Sequence, residues 1–196
     1  MSDDTAFARL VSLACHDART PLATAYGFAR TLERTLADPE LRYATLIASA
    51  SSELGDILDL LSLASRIASG RWTPELVDAE SEALARTAAG RVKKDDGMVT
   101  VVGTGVAVRV ALPAAELALS GFARCALRHG GLDEVELQVE GAQIALAPVG
   151  AGVGPILLGE DLRDLGAAVG ARIVTAIRGS VAVSGDRFLV ELPASD

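Results

Sequence analysis

Aromatic residues, cysteine and basic charge are all scarce in this chain. Phe, Trp and Tyr make up 4% of its 196 residues while hydrophobic residues make up 50%, so a core has to be built from Ala, Val, Leu and Ile. Lys and Arg total 18 against 26 Asp and Glu, which gives a net charge of −8. Because an acidic chain repels a phosphate backbone, we expect no nucleic-acid partner.

The chain also lacks clustered metal ligands and long apolar runs. Cys15 and Cys125 stand far apart and match no disulfide framework or CxxC site, which indicates two buried thiols in a reducing cytoplasm. The histidines, His16 and His129, cannot form a zinc site without further ligands, so no metal is expected; His129 is expected to cap the end of its helix. Without a signal-peptide pattern or a bilayer-length apolar run, we expect a cytoplasmic chain that makes no membrane contact.

What the first third does contain is helical periodicity. Two apolar series with 4,3,4,3 spacing flank the turn ADPE at 37–40, and each predicts one seam of a helix. We predict an antiparallel hairpin over residues 1–71 that ends at Gly70. Apolar residues off this seam, such as Leu10 and Leu46, need another surface. Either the rest of the chain covers them, or a second copy completes a four-helix bundle, and we favour the homodimer. The two series are Phe7, Val11, Ala14, Ala18, Pro21, Ala25, Phe28 and Leu32, then Tyr43, Ile47, Ala50, Leu54, Ile57, Leu61, Ala64 and Ala68.

Residues 72–196 mix helix and strand patterns without strict alternation. This indicates an α+β fold, an α/β sandwich with its helices on one face of a sheet. Predicted strands are MVTVVGT, VAVRVAL, VELQVE and QIALAPV, followed by a closing hairpin, SVAVSGDRFLVELP, with a Gly-Asp turn. Predicted helices are Pro74–Ala89, Pro113–His129 and Glu160–Ile177.

The stretch HDARTPL, residues 16–22, concentrates reactive groups on one turn of the first helix. His16 lies two positions from seam residues on either side, so its imidazole is expected to point outward. Asp17 is adjacent and can hold the tautomer of the ring and accept its proton. Thr20 shares the face of His16 at i+4, and Pro21 lacks the N–H that the Asp17 carbonyl would otherwise bind. An exposed nucleophilic nitrogen, a neighbouring base and a local bend are compatible with a phosphoryl acceptor; the alternative is an isolated surface histidine.

HDARTPL resembles the phosphoacceptor box of two-component sensor histidine kinases, whose pattern is His, acidic residue, any residue, Arg, Thr, Pro, Leu. The resemblance implies a dimeric four-helix bundle in which His16 becomes a phosphohistidine. It also implies that Asp17 assists the transfer, and that Thr20 positions water when a response regulator is dephosphorylated.

From His16 and Thr20 the same helix face continues through small residues, Ala23 and Gly27, to Arg30. A glycine in a helix interior costs about 1 kcal/mol relative to alanine, so Gly27 requires an explanation. We interpret this strip as the surface that admits a helix of a receiver domain; the alternative is a tolerated surface glycine.

The second domain resembles the ATP-binding domain of such kinases, but nucleotide contacts are missing. GFARCALRHGG resembles the asparagine box, with Gly121 and Cys125 at the two asparagine positions. The second asparagine normally holds Mg²⁺, and a neutral thiol is a poor ligand for that hard cation. The segment 155–163, between the glycine boxes, is too short for a full nucleotide lid.

The two glycine boxes are also incomplete. PVGAGVG keeps Gly150 and Gly152 but has Pro148 where the adenine-reading aspartate is expected. DLGAAVGARIV keeps Gly166 but has Asp164 in place of the other glycine, where a carboxylate repels phosphate. We therefore expect no cofactor to be bound by this chain.

These features predict a histidine phosphotransferase on a kinase body, in which His16 exchanges a phosphoryl group with the aspartate of a response-regulator receiver domain. Mg²⁺ is expected in the receiver and not here. The alternatives are an active kinase with an atypical nucleotide site, a non-enzymatic dimeric scaffold, and a response-regulator phosphatase that acts through Asp17 and Thr20.

Overall fold

The computed structural model describes residues 3–92 and 96–195, which divide into two compact units, Met1–Trp72 and Thr73–Asp196. No helix within these described stretches combines the length and the apolar character needed to cross a membrane. The first unit is a helical hairpin, formed by α1 (Asp3–Glu33) and α2 (Glu40–Ala68). Gly70 follows α2 with a φ of +66°, so the predicted glycine stop is correct.

The hairpin buries a different seam from the one that the spacing indicated. Ala8, Cys15 and Ala29 are buried on α1, and Ala44, Ala48, Ser51, Leu58 and Ser65 are buried on α2. The Ser65 hydroxyl donates a hydrogen bond to the Ala8 carbonyl, which holds the two backbones close together. The period is as predicted, but these buried residues lie one position later than the predicted series, while Leu60 and Leu63, which are also buried, lie one position before it. One residue rotates a helix by about 100°, so the large members of the series face outward.

The predicted assignment of Phe7, Phe28 and Ile47 to the seam within the chain is therefore wrong. Phe7 and Phe28 are 68% exposed, and Ile47 is 51% exposed. Apart from Leu58, the buried residues of this seam have small side chains, because alanine and serine allow two helices to approach more closely than phenylalanine does. We call the exposed set the outer apolar stripe of the hairpin: Phe7, Phe28, Leu32, Tyr43, Ile47, Leu54 and Ile57.

The second unit is built on a five-stranded sheet of order β2-β4-β5-β7-β6, in which β2 and β4 are parallel and the other neighbours antiparallel. A separate antiparallel pair joins β1 and β3. The strands are β1 Val77–Glu80, β2 Met98–Gly105, β3 Ala107–Val110, β4 Glu134–Gly141, β5 Gln143–Ala147, β6 Ser180–Ser184 and β7 Arg187–Glu191. The helices are α3 Ser81–Gly90, α4 Leu112–Gly130, α5 Gly154–Leu157 and α6 Leu165–Ala176.

One face of this sheet is apolar and packs against helices. Val135, Leu137 and Val139 of β4 are buried, whereas the residues between them are acidic or amide side chains, as expected for a sheet covered on one side. Phe122 of α4 meets Phe188 of β7 with ring centroids 4.7 Å apart. The predicted α/β sandwich with helices on one face is confirmed.

Two predicted helices begin later than their patterns indicated. The first, expected from Pro74, starts at Ser81, because the preceding residues pair as β1 with β3 and Asp78 accepts a hydrogen bond from Arg109. The second, expected from Glu160, starts at Leu165, where the Asp164 side chain caps the Ala167 N–H. In both cases tertiary contacts outweigh helix propensity.

Candidate functional site

His16 is among the most exposed side chains of the hairpin. Its side chain is 79% accessible, and its Nδ1 lies 3.1 Å from the Asp17 carboxylate. In the tautomer in which Nδ1 donates its proton to Asp17, Nε2 carries the lone pair. The arrangement therefore offers a nucleophilic nitrogen with a carboxylate that can hold the opposite ring nitrogen.

The helix around His16 lacks one backbone hydrogen bond and gains two side-chain interactions close by. Pro21 lies inside α1 and cannot donate to the Asp17 carbonyl. One turn later the Thr24 hydroxyl donates to the Thr20 carbonyl at 3.0 Å. Arg19 reaches across to Asp59 of α2, with 2.5 Å between the guanidinium nitrogen and the carboxylate oxygen. This pair fixes α1 against α2 beside the histidine, although both partners are largely exposed and the stabilisation is modest.

Ala23, Gly27 and Arg30 are all exposed on α1, as is Thr20. A Cβ built on Gly27 would meet no heavy atom of the described residues within 4 Å. Arg30 is held by Glu33 of the same helix at 2.5 Å. The strip beyond His16 is thus open and shallow, so nothing within its own hairpin requires a glycine at position 27.

In the second unit, residues of the three incomplete boxes lie in different surroundings. Pro148 is exposed and lines a shallow groove on the polar side of the sheet with Glu136 and Arg187. Gly150 packs against the end of α4, where a Cβ would come within 3.2 Å of the Gly130 Cα. Cys125, by contrast, is fully buried in α4.

Asp164 and Cys125 do come together, and each affects the other. Burial, and secondarily the negative charge of Asp164, raises the pKa of the Cys125 thiol to about 12. The Asp164 carboxylate is 8% exposed and accepts a hydrogen bond from the Ala167 N–H at 2.9 Å. A carboxylate at this position interacts favourably with the helix dipole of α6.

Asp164 has two basic neighbours on α4. His129 lies in the last turn of α4, as expected, and its Nε2 is 3.3 Å from the Asp164 carboxylate. The helix ends at Gly131, which adopts the left-handed conformation with φ 62°. Arg128 approaches the same carboxylate at 3.8 Å. The convergence of Cys125, His129 and Asp164 was missed because it joins two helices distant in sequence.

The helices α4 and α6 touch directly at two glycines. A Cβ on Gly121 would lie 2.9 Å from the Gly166 carbonyl oxygen, so the two backbones are in contact. Gly121 and Gly166 are the positions where the asparagine box and the second glycine box were expected to face a nucleotide. At this level the two helices leave no room for a side chain between them.

Full-length ShkA, in a complex with AMPPNP, matches 96% of this chain with a TM-score of 0.70 and 20% identity, and the chain spans 46% of ShkA. The histidine kinase AdeS of Acinetobacter baumannii matches 92% of the chain and is itself covered to 98%, with a TM-score of 0.55 and 17% identity. The chain has the fold of a histidine-kinase core. The cytoplasmic segment of the histidine kinase QseC agrees, at a TM-score of 0.53 and 12% identity over 83% of this chain and 98% of QseC.

The histidine-kinase-core fold thus confirms the sequence resemblance at the level of architecture. No protein-family model matches the chain, and no curated protein does either. The kinase-core fold accounts for the hairpin followed by an α/β sandwich, while the roles of individual residues rest on the geometry above.

Proposed function

We propose that this chain is a histidine phosphotransferase that exchanges a phosphoryl group between His16 and the phosphorylated aspartate of a receiver domain. The observation that carries the proposal is the exposed His16 imidazole, 79% accessible, with its Nδ1 3.1 Å from Asp17. A receiver can reach the ring, and the carboxylate keeps Nε2 free to attack.

The transfer balances without a cofactor on this chain. The Nε2 lone pair attacks phosphorus, the bond between phosphorus and the receiver aspartate oxygen breaks, and that oxygen leaves as a carboxylate. The imidazole ring carries positive charge until its Nδ1 proton is shared with Asp17, whose negative charge offsets it. Mg²⁺ bound in the receiver would neutralise the phosphoryl oxygens during the step.

Two features of the second unit support a relay that does not use its own ATP. The contact between Gly121 and Gly166 fills the space between the two helices where a nucleotide was expected. The Asp164 carboxylate takes the N-terminus of α6, the position that a phosphate group would otherwise occupy. A second anion there would meet both steric exclusion and charge repulsion.

The hairpin also supports assembly into a homodimer. The outer apolar stripe leaves large side chains in water, and patches of this kind are normally covered by a partner. Its members keep heptad spacing on both helices, so a second hairpin related by two-fold symmetry would complete a four-helix bundle.

An ATP-dependent autokinase is the rival function, because ShkA has the same fold and its structure contains AMPPNP. The two functions separate when the chain is incubated in parallel with radiolabelled ATP and Mg²⁺, or with receiver domains labelled by acetyl phosphate. We expect label only from the receivers, in the acid-labile form of a phosphoramidate.

Two variants test the assignment within that experiment. His16→Ala should abolish labelling, and Asp17→Asn should slow it, whereas Asp56→Asn, which alters an exposed carboxylate on α2, should transfer normally. Labelling of His16 from ATP by the chain alone would establish the autokinase instead.

A further inference from the structure

Three metal-binding side chains converge where α4 meets the start of α6. Cys125 and His129 are separated by one turn of α4, so both project from the same face of that helix. Asp164 is the residue that caps α6. Their ligand atoms all lie within 4.8 Å of one another. The sequence predicted no metal, because Asp164 is remote from the other two residues along the chain.

One atom in this group lacks a partner. Nε2 of His129 is buried, and among the described residues it makes no hydrogen bond. It lies 3.3 Å from an Asp164 oxygen but makes no hydrogen bond with it. A buried polar nitrogen without a partner is costly, and in native proteins it calls for a missing water or ion.

The 3.3 Å separation is the distance expected between two ligands of a single tetrahedral ion. Nitrogen and oxygen bonded to Zn²⁺ at 2.0–2.1 Å and separated by the tetrahedral angle stand about 3.3 Å apart. A thiolate bonded at about 2.3 Å would stand about 3.5 Å from either of them. The Cys125 sulfur is at most 4.8 Å from both atoms, so it would move closer to them when an ion binds.

We propose that Cys125, His129 and Asp164 form a binding site for a zinc-like divalent ion. Thiolate and imidazole suit Zn²⁺ and other late first-row metals and disfavour Mg²⁺, which prefers all-oxygen octahedral sites. Binding releases the thiol proton to solvent, so one thiolate and one carboxylate balance the two charges of the ion. Water would complete the fourth position.

Such an ion would tie α4 to α6 at the level where the two helices already touch. Ligands from both helices are satisfied only in the folded unit, so the ion would stabilise that unit. Arg128 is the competing cation, at 3.8 Å from Asp164, but its side chain is 67% exposed and can turn into solvent.

The test uses Co²⁺ as a spectroscopic substitute for Zn²⁺ on the full chain purified free of metal. A bound thiolate gives a charge-transfer absorption in the near ultraviolet, and an excess of Zn²⁺ should displace it. Cys125→Ser should remove this absorption, whereas Cys15→Ser, at the other buried cysteine, should leave it unchanged.

Asp164→Asn should keep the fold, because asparagine also caps helices. This variant and His129→Gln should each weaken Co²⁺ binding by more than about tenfold. Zn²⁺ should also raise the melting temperature of the native chain and leave that of Asp164→Asn unchanged. The proposed site does not exist if Co²⁺ gives no thiolate band, or if either variant binds Co²⁺ as tightly as the native chain does. Asp164 would then serve as a helix cap only.

Discussion

Replacing Gly121 with alanine tests the helix contact that closes the expected nucleotide space. In an exposed helix interior this substitution stabilises by about 1 kcal/mol, because alanine loses less backbone entropy on folding. At Gly121, however, the new Cβ would lie 2.9 Å from the Gly166 carbonyl oxygen. The obstacle is backbone, so it cannot rotate away as a flexible side chain could. Overpacking of this kind costs about 1–3 kcal/mol.

The two effects oppose each other, and the steric one should win. We expect Gly121→Ala to lower the free energy of unfolding of the second unit by up to about 2 kcal/mol. Two matched controls have open space around the added Cβ: Gly27, inside α1, and Gly90, the last residue of α3 in the same unit as Gly121. Alanine at either position should leave stability unchanged or raise it by up to about 1 kcal/mol.

Urea unfolding followed by circular dichroism measures these differences on the full chain. If Gly121→Ala stabilises the chain as the controls do, α4 and α6 do not touch at this level. In that case the space between the two helices is open, and the contact between them would not exclude a nucleotide. If Gly121→Ala destabilises and Gly121→Asn destabilises further, the side chain expected at this position in an asparagine box cannot fit this chain.

Three further outcomes follow from the structure. Replacing Gly27 with leucine should block transfer from a receiver while the oligomeric state is preserved, since a Cβ there meets nothing of the described residues within 4 Å; normal transfer rates would move the receiver surface elsewhere. Ile47→Asp on the outer apolar stripe should give a monomer in sedimentation, whereas Arg42→Asp, at an exposed polar position of the same helix, should not. In the chain free of metal, burial raises the pKa of the Cys125 thiol from its ordinary value of 9.0 to about 12, so between these pH values the folded unit retains the thiol proton that the unfolded chain loses. Its stability should fall as pH rises from about 9 towards 12, and Cys125→Ala should flatten that fall; a parallel pH profile would contradict it.

The sequence predicts the periodicity of the hairpin well and its orientation poorly. Spacing alone predicts a heptad repeat, but several faces of a helix can carry the same repeat. The sequence analysis assigned the face with the large apolar residues to the seam between α1 and α2. The structure buries Ala44 and Ala48, one position after Tyr43 and Ile47. The choice depends on how closely two helices can approach, a property of both helices together that neither pattern contains.

The sequence predicts helix ends and turns correctly where neighbouring residues alone determine them. The end of α4 was predicted at His129 and lies at Gly130, one residue later. The Gly185-Asp186 turn of the last hairpin was predicted from its dipeptide, because a positive φ favours glycine there. The start of α6 was missed by several residues, since Asp164 reads as an ordinary polar residue until its carboxylate is placed over the Ala167 N–H.

The Asp164 carboxylate bears on anion binding in the second unit and not on the chemistry proposed for His16. At the N-terminus of a helix, unpaired N–H groups favour one anion, which can belong to a ligand or to the chain itself. When Asp164 supplies it, a phosphate group must displace a charge that is already hydrogen-bonded and 8% exposed, and must do so beside a backbone contact. The transfer proposed for His16 needs no nucleotide site, because its nucleophile and its carboxylate are adjacent on one exposed turn. The proposed transfer at His16 is therefore compatible with a second unit that binds no nucleotide.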